Sequence, residues 1–381
     1  MVAPKRIIIV GDGTGGICTA NKLSARIPPE NAEIMIVGNS PKLSYRPAGL
    51  AISLGSRDYR KYSKDVRFLL NSKISYRRDT VEGVDARNKN ILTKSGNRYD
   101  YDYLVIASGL RPSPEDIPGS DGEAKHFQDF NHAAELHTLL DGMTEGDLVI
   151  GSPDSLYSPT SSFEFAVLAD EFLSRKGVRN KIDIKFFFPG EEILPIGSVS
   201  SRMMKVLGRK NISCTENFSP KRVSQRNGEI ASEEGALLKY NLLVMPQPMK
   251  GQGFVCKSGL AEKNCLMPVQ EATLQNEKFP EIFGVGDAVD FKTMYVPKTI
   301  GSTVMQSGVV AEELSRELGG KYTDREYRGE APLHVYCGDK LAFSVNVKQG
   351  DANIGRDASL DYHFRQTGSD EYFSVLVRGM I

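Results

Sequence analysis

The sequence has no excess of either charge and no long apolar run. The chain has 48 basic residues (lysine and arginine) and 48 acidic residues (aspartate and glutamate). Electrostatics therefore give no case for a nucleic acid or an anionic membrane surface as partner, and small molecules are expected instead. No apolar run is long enough to span a bilayer, and no signal-peptide pattern precedes the first predicted strand. We expect a cytoplasmic protein.

Cysteine is scarce, and the histidines are scattered. The five cysteines show no C-x-x-C spacing and are too few for a disulfide framework, so free thiols are predicted. They are Cys18, Cys214, Cys256, Cys265 and Cys337. The alternative for Cys256 and Cys265 is a substitute redox pair. The spacing of His126, His132 and His137 does not place them on one helix face, so we expect no metal site.

A glycine-rich turn follows the first predicted strand. An apolar run leads directly into Gly11, Gly13 and Gly16, and an apolar helical stripe follows. This G-x-G-x-x-G spacing allows a tight turn, close approach of backbone to a pyrophosphate, and packing of the helix on the strand. The motif predicts FAD or NAD(P) binding, and the alternative is a purely structural turn.

The second predicted strand, residues 33–37, lacks the usual acidic residue at its end. Gly38 and Asn39 stand there, and Asn39 is the predicted, weaker partner of the ribose. A third apolar strand over residues 101–107 ends in the small residues Ser108 and Gly109. Together these segments predict the first half of a doubly wound sheet.

A second strand, turn and helix begins at residue 147, but its loop keeps only Gly151 of the glycine pattern. Pro153 stands where bare backbone is needed, which opposes tight NAD(P)H binding. At 381 residues the chain suits two or three domains. We divide it into a first FAD-binding part (1–110), a middle NAD(P)-binding-like domain (111–267), a second FAD-binding part (268–330) and a C-terminal segment (331–381).

Three motifs together resemble the two-dinucleotide-domain flavoprotein disulfide reductase superfamily. They are the glycine turn, residues 103–109, and Val285-Gly286-Asp287-Ala288. The resemblance implies an α/β fold with two Rossmann-like domains of the glutathione-reductase type and a short C-terminal segment. It also implies bound FAD, with Gly286 and Asp287 at the ribityl chain. The N-terminus of the next helix would then stabilise anionic reduced flavin.

Further motifs are similar to the sulfide:quinone oxidoreductase family, which is related to flavocytochrome c sulfide dehydrogenase and type II NADH dehydrogenase. Arg46 and Pro47 match its FAD-contacting loop, and residues 296–299 match its Pro-Lys-Thr segment beside the isoalloxazine. The resemblance places Lys298 at the flavin or the quinone, where a cation favours reduced flavin or a quinol anion. The alternative for Lys298 is a solvated surface lysine.

The family's redox cysteine pair is matched only in part. Cys337 resembles one member of the pair, and Ser158 stands where the other is expected. Ser158 forms neither a disulfide nor a persulfide. Cys337 is the candidate sulfur-handling thiol, or else an inert packed cysteine. Glu164 resembles a glutamate near the flavin that moves protons, or else lies on a solvated helix face.

The resemblance implies an FAD-dependent oxidoreductase that passes two electrons from a sulfur donor through flavin to a quinone. The alternatives are an NAD(P)H:quinone or other acceptor oxidoreductase, and a flavin-binding protein without turnover. Membrane contact is expected to be at most peripheral, at the inner face of the membrane, and a homo-oligomer is compatible with the sequence.

Overall fold

The computed structural model describes residues 3–57, 59–154 and 159–380. The helices in these ranges are α1 Thr14–Arg26, α2 Ala48–Ser53, α3 Phe130–Gly142, α4 Pro159–Lys176, α5 Gly197–Arg209, α6 Gly253–Lys257, α7 Ile300–Glu317 and α8 Ser359–Glu371. A π-helical turn, Tyr372–Leu376, follows α8 directly. None of the described helices is both long and apolar enough to cross a membrane.

The strands lie before, between and after these helices. In chain order they are β1 Lys5–Val10, β2 Ala32–Gly38, β3 Lys42–Ser44, β4 Ser63–Asp65, β5 Ile74–Arg78, β6 Val81–Asp85, β7 Asn90–Thr93, β8 Arg98–Asp100, β9 Tyr103–Ile106, β10 Leu110–Pro112, β11 Gly146–Gly151, β12 Ile182–Phe187, β13 Ser213–Thr215, β14 Pro220–Ser224, β15 Glu229–Ser232, β16 Leu237–Lys239, β17 Leu242–Val244, β18 Met249–Gly251, β19 Met267–Pro268, β20 Ile282–Gly284, β21 Val289–Asp290, β22 Ala331–Gly338, β23 Leu341–Lys348 and β24 Asp351–Ile354.

The first sheet joins the start of the chain to a strand near its end. Its order is β20-β9-β1-β2-β5, and every neighbouring pair is parallel. Continuous apolar runs such as Ile7–Val10 suit strands that are covered on both faces. Helices α1 and α7 pack against each other over this sheet. A side chain at Gly15 would lie 3.1 Å from Val285 and 3.3 Å from Thr303, so glycine permits this close approach.

The second sheet belongs to the middle of the chain. Its order is β13-β12-β11-β17, again parallel throughout. The antiparallel pair β10 and β18 forms a separate two-stranded sheet between the segments that hold the two parallel sheets. Two parallel sheets with crossover helices confirm the predicted α/β fold with two Rossmann-like units. The three boundaries between the four predicted parts stay a prediction.

The end of the chain returns to the first sheet. Strands β22, β23 and β24 form an antiparallel sheet, and α8 packs on β23. Beyond α8, the Tyr372 hydroxyl lies 2.7 Å from the Thr14 hydroxyl, and Asn21 Nδ2 donates to the Val377 carbonyl at 2.7 Å. Tyr372 and Val377 are fully or almost fully buried. The C-terminal turn therefore packs on α1, directly behind the glycine-rich loop.

Candidate active site

One large cavity gathers most of the predicted site residues. It has a volume of about 920 Å³ and lies where β1, β2 and β9 end and where α1 and α7 begin. Carboxyl ends of parallel strands are where doubly wound folds bind ligands. The main cavity is lined by Gly11, Gly13, Asn39, Arg46, Pro47, Ser108, Gly109, Glu164, Gly286, Asp287 and Lys298. Of the predicted site residues, Gly16 and Cys337 are not in this lining.

The three glycines of the turn have different structural roles. Gly11 has a φ of +115°, and a side chain there would lie 2.3 Å from the Ala107 carbonyl oxygen. A side chain at Gly16 would lie 1.8 Å from the Gly11 carbonyl oxygen. Gly13 has no atom within 4 Å of the place its side chain would take, and it lines the main cavity. Gly11 and Gly16 therefore shape the turn, while Gly13 leaves backbone open to a ligand.

The carboxylate missing from the end of β2 is supplied by Asp12. A side chain at Gly38 would lie 2.3 Å from Asp12 Cγ, so the Asp12 side chain occupies the space above Gly38. Its Oδ2 accepts from the Ser40 backbone N–H and the Tyr76 hydroxyl, both at 2.8 Å. Burial raises the pKa of Tyr76, and the hydrogen bond to Asp12 acts in the same direction. Tyr76 therefore stays a donor that holds the Asp12 carboxylate in place.

Asn39, the predicted ribose partner, is held less firmly. Its side chain is exposed, and Nδ2 lies 3.5 Å from the Thr80 hydroxyl. Asp12 is only 8% exposed and lines the same part of the main cavity. Sequence reasoning missed Asp12 because it is a variable position of the motif. The available signal was an acidic residue in the glycine turn combined with the lack of an acidic residue at the end of β2.

Lys298 and Asp287 face each other at the other end of the main cavity. Lys298 Nζ donates to the backbone carbonyls of Asp287 and Val289, each at 2.9 Å. Burial raises the pKa of Asp287, while Lys298 and Arg46 oppose that shift. Burial lowers the pKa of Lys298, and Asp287 opposes that change. Lys298 is thus half-buried and fixed by its hydrogen bonds, unlike a solvated surface lysine.

The N-terminus of α7 opens into the main cavity beside Lys298. Thr299 caps the helix, and its hydroxyl accepts from the Ser302 backbone N–H at 3.1 Å. Thr299, Ile300 and Gly301 all line the cavity. The positive end of an 18-residue helix therefore points at the same region as the lysine. Both features stabilise negative charge there.

Glu164 lies on α4 in the wall of the main cavity. It is 2% exposed, and its Oε1 accepts from the Tyr336 backbone N–H at 3.0 Å. The prediction that this residue lies at the cavity rather than on a solvated face agrees with its position. Its role in moving protons stays a proposal.

The structure separates Cys337 from the main cavity. Cys337 lines a second cavity of about 600 Å³, together with Arg209, Lys210 and Asp357. Its Sγ lies 3.4 Å from Asp357 Oδ1. Burial raises the pKa of this thiol to about 12, and Asp357 acts in the same direction. Cys337 is therefore not in the lining of the main cavity, and its assignment as the sulfur-handling thiol stays a prediction. Ser158, its expected counterpart, lies outside the described residues.

Cys337 lies at an irregularity of β22. Pro332, Leu333 and His334, earlier on the same strand, line the main cavity. The pairing of β22 and β23 shifts between Tyr336 and Gly338, so the regular alternation of faces is interrupted at Cys337. His334 Nδ1 lies 3.0 Å from Asp361 Oδ1. Sequence reasoning missed this pair, because the contact depends on how α8 packs on β22.

One expectation about the cysteines is corrected. Cys256 and Cys265 form a disulfide, so the prediction of free thiols is wrong for this pair. It is confirmed for Cys18, Cys214 and Cys337. A turn of chain between α6 and β19 brings the pair together, although their spacing carried no signal. Neither cysteine lines the main cavity.

Two of the three histidines lie close together. The rings of His126 and His132 lie 4.2 Å apart. His126 precedes α3 in a loop, whereas His132 lies in the first turn of that helix. The two do not share a helix face, as expected, but their spacing did not predict this contact.

Comparison with known proteins identifies the group. The model of the pyridine nucleotide-disulphide oxidoreductase family matches residues 5–153. The mouse mitochondrial sulfide:quinone oxidoreductase is 22% identical over 344 residues, which cover 87% of this chain and 75% of that protein. The structure of the sulfide:quinone oxidoreductase from Aquifex aeolicus superposes with a TM-score of 0.86 at 20% identity, covering 98% of this chain and 92% of the other. Residues 5–153 thus match the pyridine nucleotide-disulphide oxidoreductase family, and most of the chain is similar to sulfide:quinone oxidoreductases.

Within this superfamily the chain is similar to two groups. Besides the sulfide:quinone oxidoreductases, it is 29% identical to the type II NADH:quinone oxidoreductase of Staphylococcus aureus over 343 residues, 84% of each chain. Members of the superfamily are FAD-dependent oxidoreductases. The resemblance drawn from the sequence motifs is therefore confirmed.

The main cavity fits the FAD that the superfamily uses. Gly13 presents open backbone at the N-terminus of α1, as a pyrophosphate requires. Ser108 lines the cavity, and its buried hydroxyl has no hydrogen-bond partner among the described residues. A volume of about 920 Å³ suits an extended dinucleotide, since it lies near the top of the range for small-molecule sites. In FAD-bound protein, Asp12 would hold the ribose, the glycine turn the pyrophosphate and Asp287 the ribityl chain.

We expect Asp12→Asn to weaken FAD binding. The amide oxygen can still accept from Ser40 and Tyr76, so the loop stays in place, but the charged acceptor for a ribose hydroxyl is lost. Losing a charge-assisted hydrogen bond costs about 1.5–3 kcal/mol, which is roughly a tenfold or larger rise in the FAD dissociation constant. The measurement is fluorescence titration of apoprotein with FAD. Asn39→Ala is the comparison. An equal or larger rise in its FAD dissociation constant would show that Asn39, and not Asp12, is the main partner of the ribose.

Proposed function

We propose that this protein is an FAD-dependent oxidoreductase that passes two electrons from a reduced sulfur donor through the flavin to a quinone. The observation that carries the proposal is the main cavity, which joins a dinucleotide cradle to the positively charged end formed by Lys298 and α7. The relatives named sulfide:quinone oxidoreductase match most of the chain. Sulfide would lose two electrons to reach the level of zero-valent sulfur, and quinone would take two electrons and two protons to become quinol.

Bound FAD would supply the two-electron acceptor and donor chemistry, and the chain's own residues would set its charge balance. Lys298 and the α7 N-terminus would stabilise negative charge on reduced flavin or on a quinol anion. Glu164 and the pair His334 and Asp361 would carry protons at the cavity wall. His334 suits this role because it lines the main cavity and its Nδ1 lies 3.0 Å from Asp361 Oδ1.

The second candidate donor is NAD(P)H, and the lining of the main cavity supports it. No cysteine is among the described residues that line the main cavity, so a relay through a cysteine pair has no support there. The similarity to the S. aureus NADH:quinone oxidoreductase points the same way. Against it, a side chain at Gly151 would lie 2.3 Å from the Phe187 ring. Packing of Phe187 therefore explains the one glycine left in the second nucleotide loop.

Anaerobic stopped-flow reduction of the purified holoprotein separates these functions. The proposal expects sulfide to bleach the flavin absorbance rapidly and a soluble quinone to restore it. Bleaching by NADH alone would assign the protein to the NADH:quinone oxidoreductases instead. If neither donor reduces the flavin at a useful rate, the protein binds FAD without turnover and the proposal is wrong.

Cys337→Ser is expected to leave sulfide-dependent flavin reduction within about twofold of wild type, as for a residue that does not touch the reacting groups. The reason is its position in the second cavity, where its thiol bonds Asp357. The measurement is the rate of flavin bleaching by sulfide in both proteins. A loss of that rate with normal FAD content would restore Cys337 as the sulfur-handling thiol.

We also propose that the protein works in the cytoplasm, with membrane contact at most peripheral. The equal numbers of basic and acidic residues support this placement, because they give no net attraction to an anionic membrane surface. Flotation with lipid vesicles that contain quinone tests it, and co-flotation at physiological salt would show stable membrane binding.

A further inference from the structure

Three metal-ligating side chains meet at the start of α3, outside the main cavity. Asp129 caps the helix, and its Oδ1 accepts from the backbone N–H of Asn131 and of His132, each at 3.0 Å. Its Oδ2 lies 2.6 Å from His132 Nδ1. The His126 ring approaches from the preceding loop, with its centroid 4.2 Å from that of His132. One ligand atom from each of the three residues lies within 4.8 Å of the other two.

His126 is the member that packing alone does not explain. It is 4% exposed, and its buried Nδ1 has no hydrogen-bond partner among the described residues. A neutral imidazole has one ring nitrogen with a lone pair available to a ligand. A buried polar atom without a partner is costly, and a coordinated ion would satisfy it.

We propose that His126, Asp129 and His132 bind a divalent first-row transition-metal ion of the zinc type. Two imidazoles and one carboxylate are a preferred donor set for such ions, and water would complete the tetrahedron. Ligand atoms about 2.0–2.2 Å from zinc stand roughly 3.3–3.5 Å apart in a tetrahedron. Asp129 and His132 side chains are 51% and 53% exposed, so small rotations of these two can reach that geometry around the fixed His126 ring.

The site is linked to the main cavity through the loop between its ligands. Phe127 and Gln128 follow His126 directly, and both line the main cavity. The Phe127 ring stacks on Phe165 at 5.3 Å, and Gln128 Oε1 accepts from the Gln247 backbone N–H at 2.7 Å. An ion that joins His126 to the start of α3 would therefore fix this part of the cavity wall. The ion's role is structural, and it does not depend on which donor reduces the flavin.

Cobalt titration of EDTA-treated holoprotein tests the proposal directly. Co²⁺ in a tetrahedral site absorbs between about 550 and 700 nm, where oxidised flavin does not interfere. Zn²⁺ should displace the bound Co²⁺. We expect one Co²⁺ per chain in the wild type. His132→Gln and Asp129→Asn should weaken binding at least tenfold, since Asn can still cap α3. His137→Gln, further along the same helix, is the matched control and should bind as the wild type does.

Thermal unfolding gives an independent readout. Zn²⁺ in excess should raise the melting temperature of the wild type and the His137→Gln variant, but not of His132→Gln. Circular dichroism and FAD content verify that each variant is folded. The proposal is overturned if the wild type shows no saturable tetrahedral Co²⁺ spectrum, or if His132→Gln binds as tightly as the wild type. In either case Asp129 and His132 form only a helix cap beside a buried histidine.

Discussion

Gly13→Ala is expected to leave the protein folded and to weaken FAD binding strongly. Gly13 has φ −81° and ψ −169°, an ordinary extended conformation, and an added methyl group would meet no atom of the described residues within 4 Å. The methyl group would instead enter the space that the pyrophosphate needs. Overpacking costs about 1–3 kcal/mol, so the FAD dissociation constant should rise roughly 10- to 100-fold. Titration of apoprotein with FAD measures this.

Gly16→Ala serves as the contrasting variant. Its methyl group would lie 1.8 Å from the Gly11 carbonyl oxygen, so the turn itself must move. We expect apo Gly16→Ala to melt at a lower temperature than the wild type, whereas apo Gly13→Ala should melt as the wild type does. Unchanged FAD affinity in Gly13→Ala would mean that the turn is only structural.

The parts of the site that are formed by residues close together in the chain could be predicted from the sequence. The glycine turn needs one strand and one helix in a fixed order, and Lys298 lies eleven residues after Asp287 in a motif that folds as a unit. The doubly wound parallel sheet followed from the same logic, because strands joined by crossover helices allow few topologies. These residues lie in the main cavity together, as expected.

Residues that depend on distant contacts could not be predicted. Asp12 reaches the end of β2 only because Gly38 leaves room for it, which needs β1 and β2 to be adjacent and in register. Cys337 was assigned by its resemblance to a family cysteine, but the register shift between β22 and β23 at this residue cannot be read from the sequence. The approach of His126 to His132 depends on how a loop enters α3, and spacing along the chain carries no information about that path.

Lys298 is the residue whose change should affect the flavin most. Lys298→Met removes a cation that is half-buried beside Asp287 and bound to two backbone carbonyls. Reduced flavin is anionic, so loss of the cation should lower the flavin midpoint potential. Removing a preorganised donor from such a site typically costs 10²–10³ in rate, and we expect kcat to fall by about 10²-fold. Redox titration and steady-state turnover measure the two effects.

The change in the flavin midpoint potential of Lys298→Met distinguishes a chemical role of Lys298 from a structural one. Loss of Lys298 also removes the interaction that holds the pKa of Asp287 down, so Asp287 should be protonated over a wider pH range. Lys292→Met is the matched control, because Lys292 is an exposed lysine nearby whose partner is Glu277 at 2.7 Å. A protein with full FAD content, an unchanged potential and a reduced kcat would argue that Lys298 acts on the substrate. An unchanged potential and an unchanged kcat would make it a structural clamp of the Asp287 loop, whose only role is to hold two carbonyls.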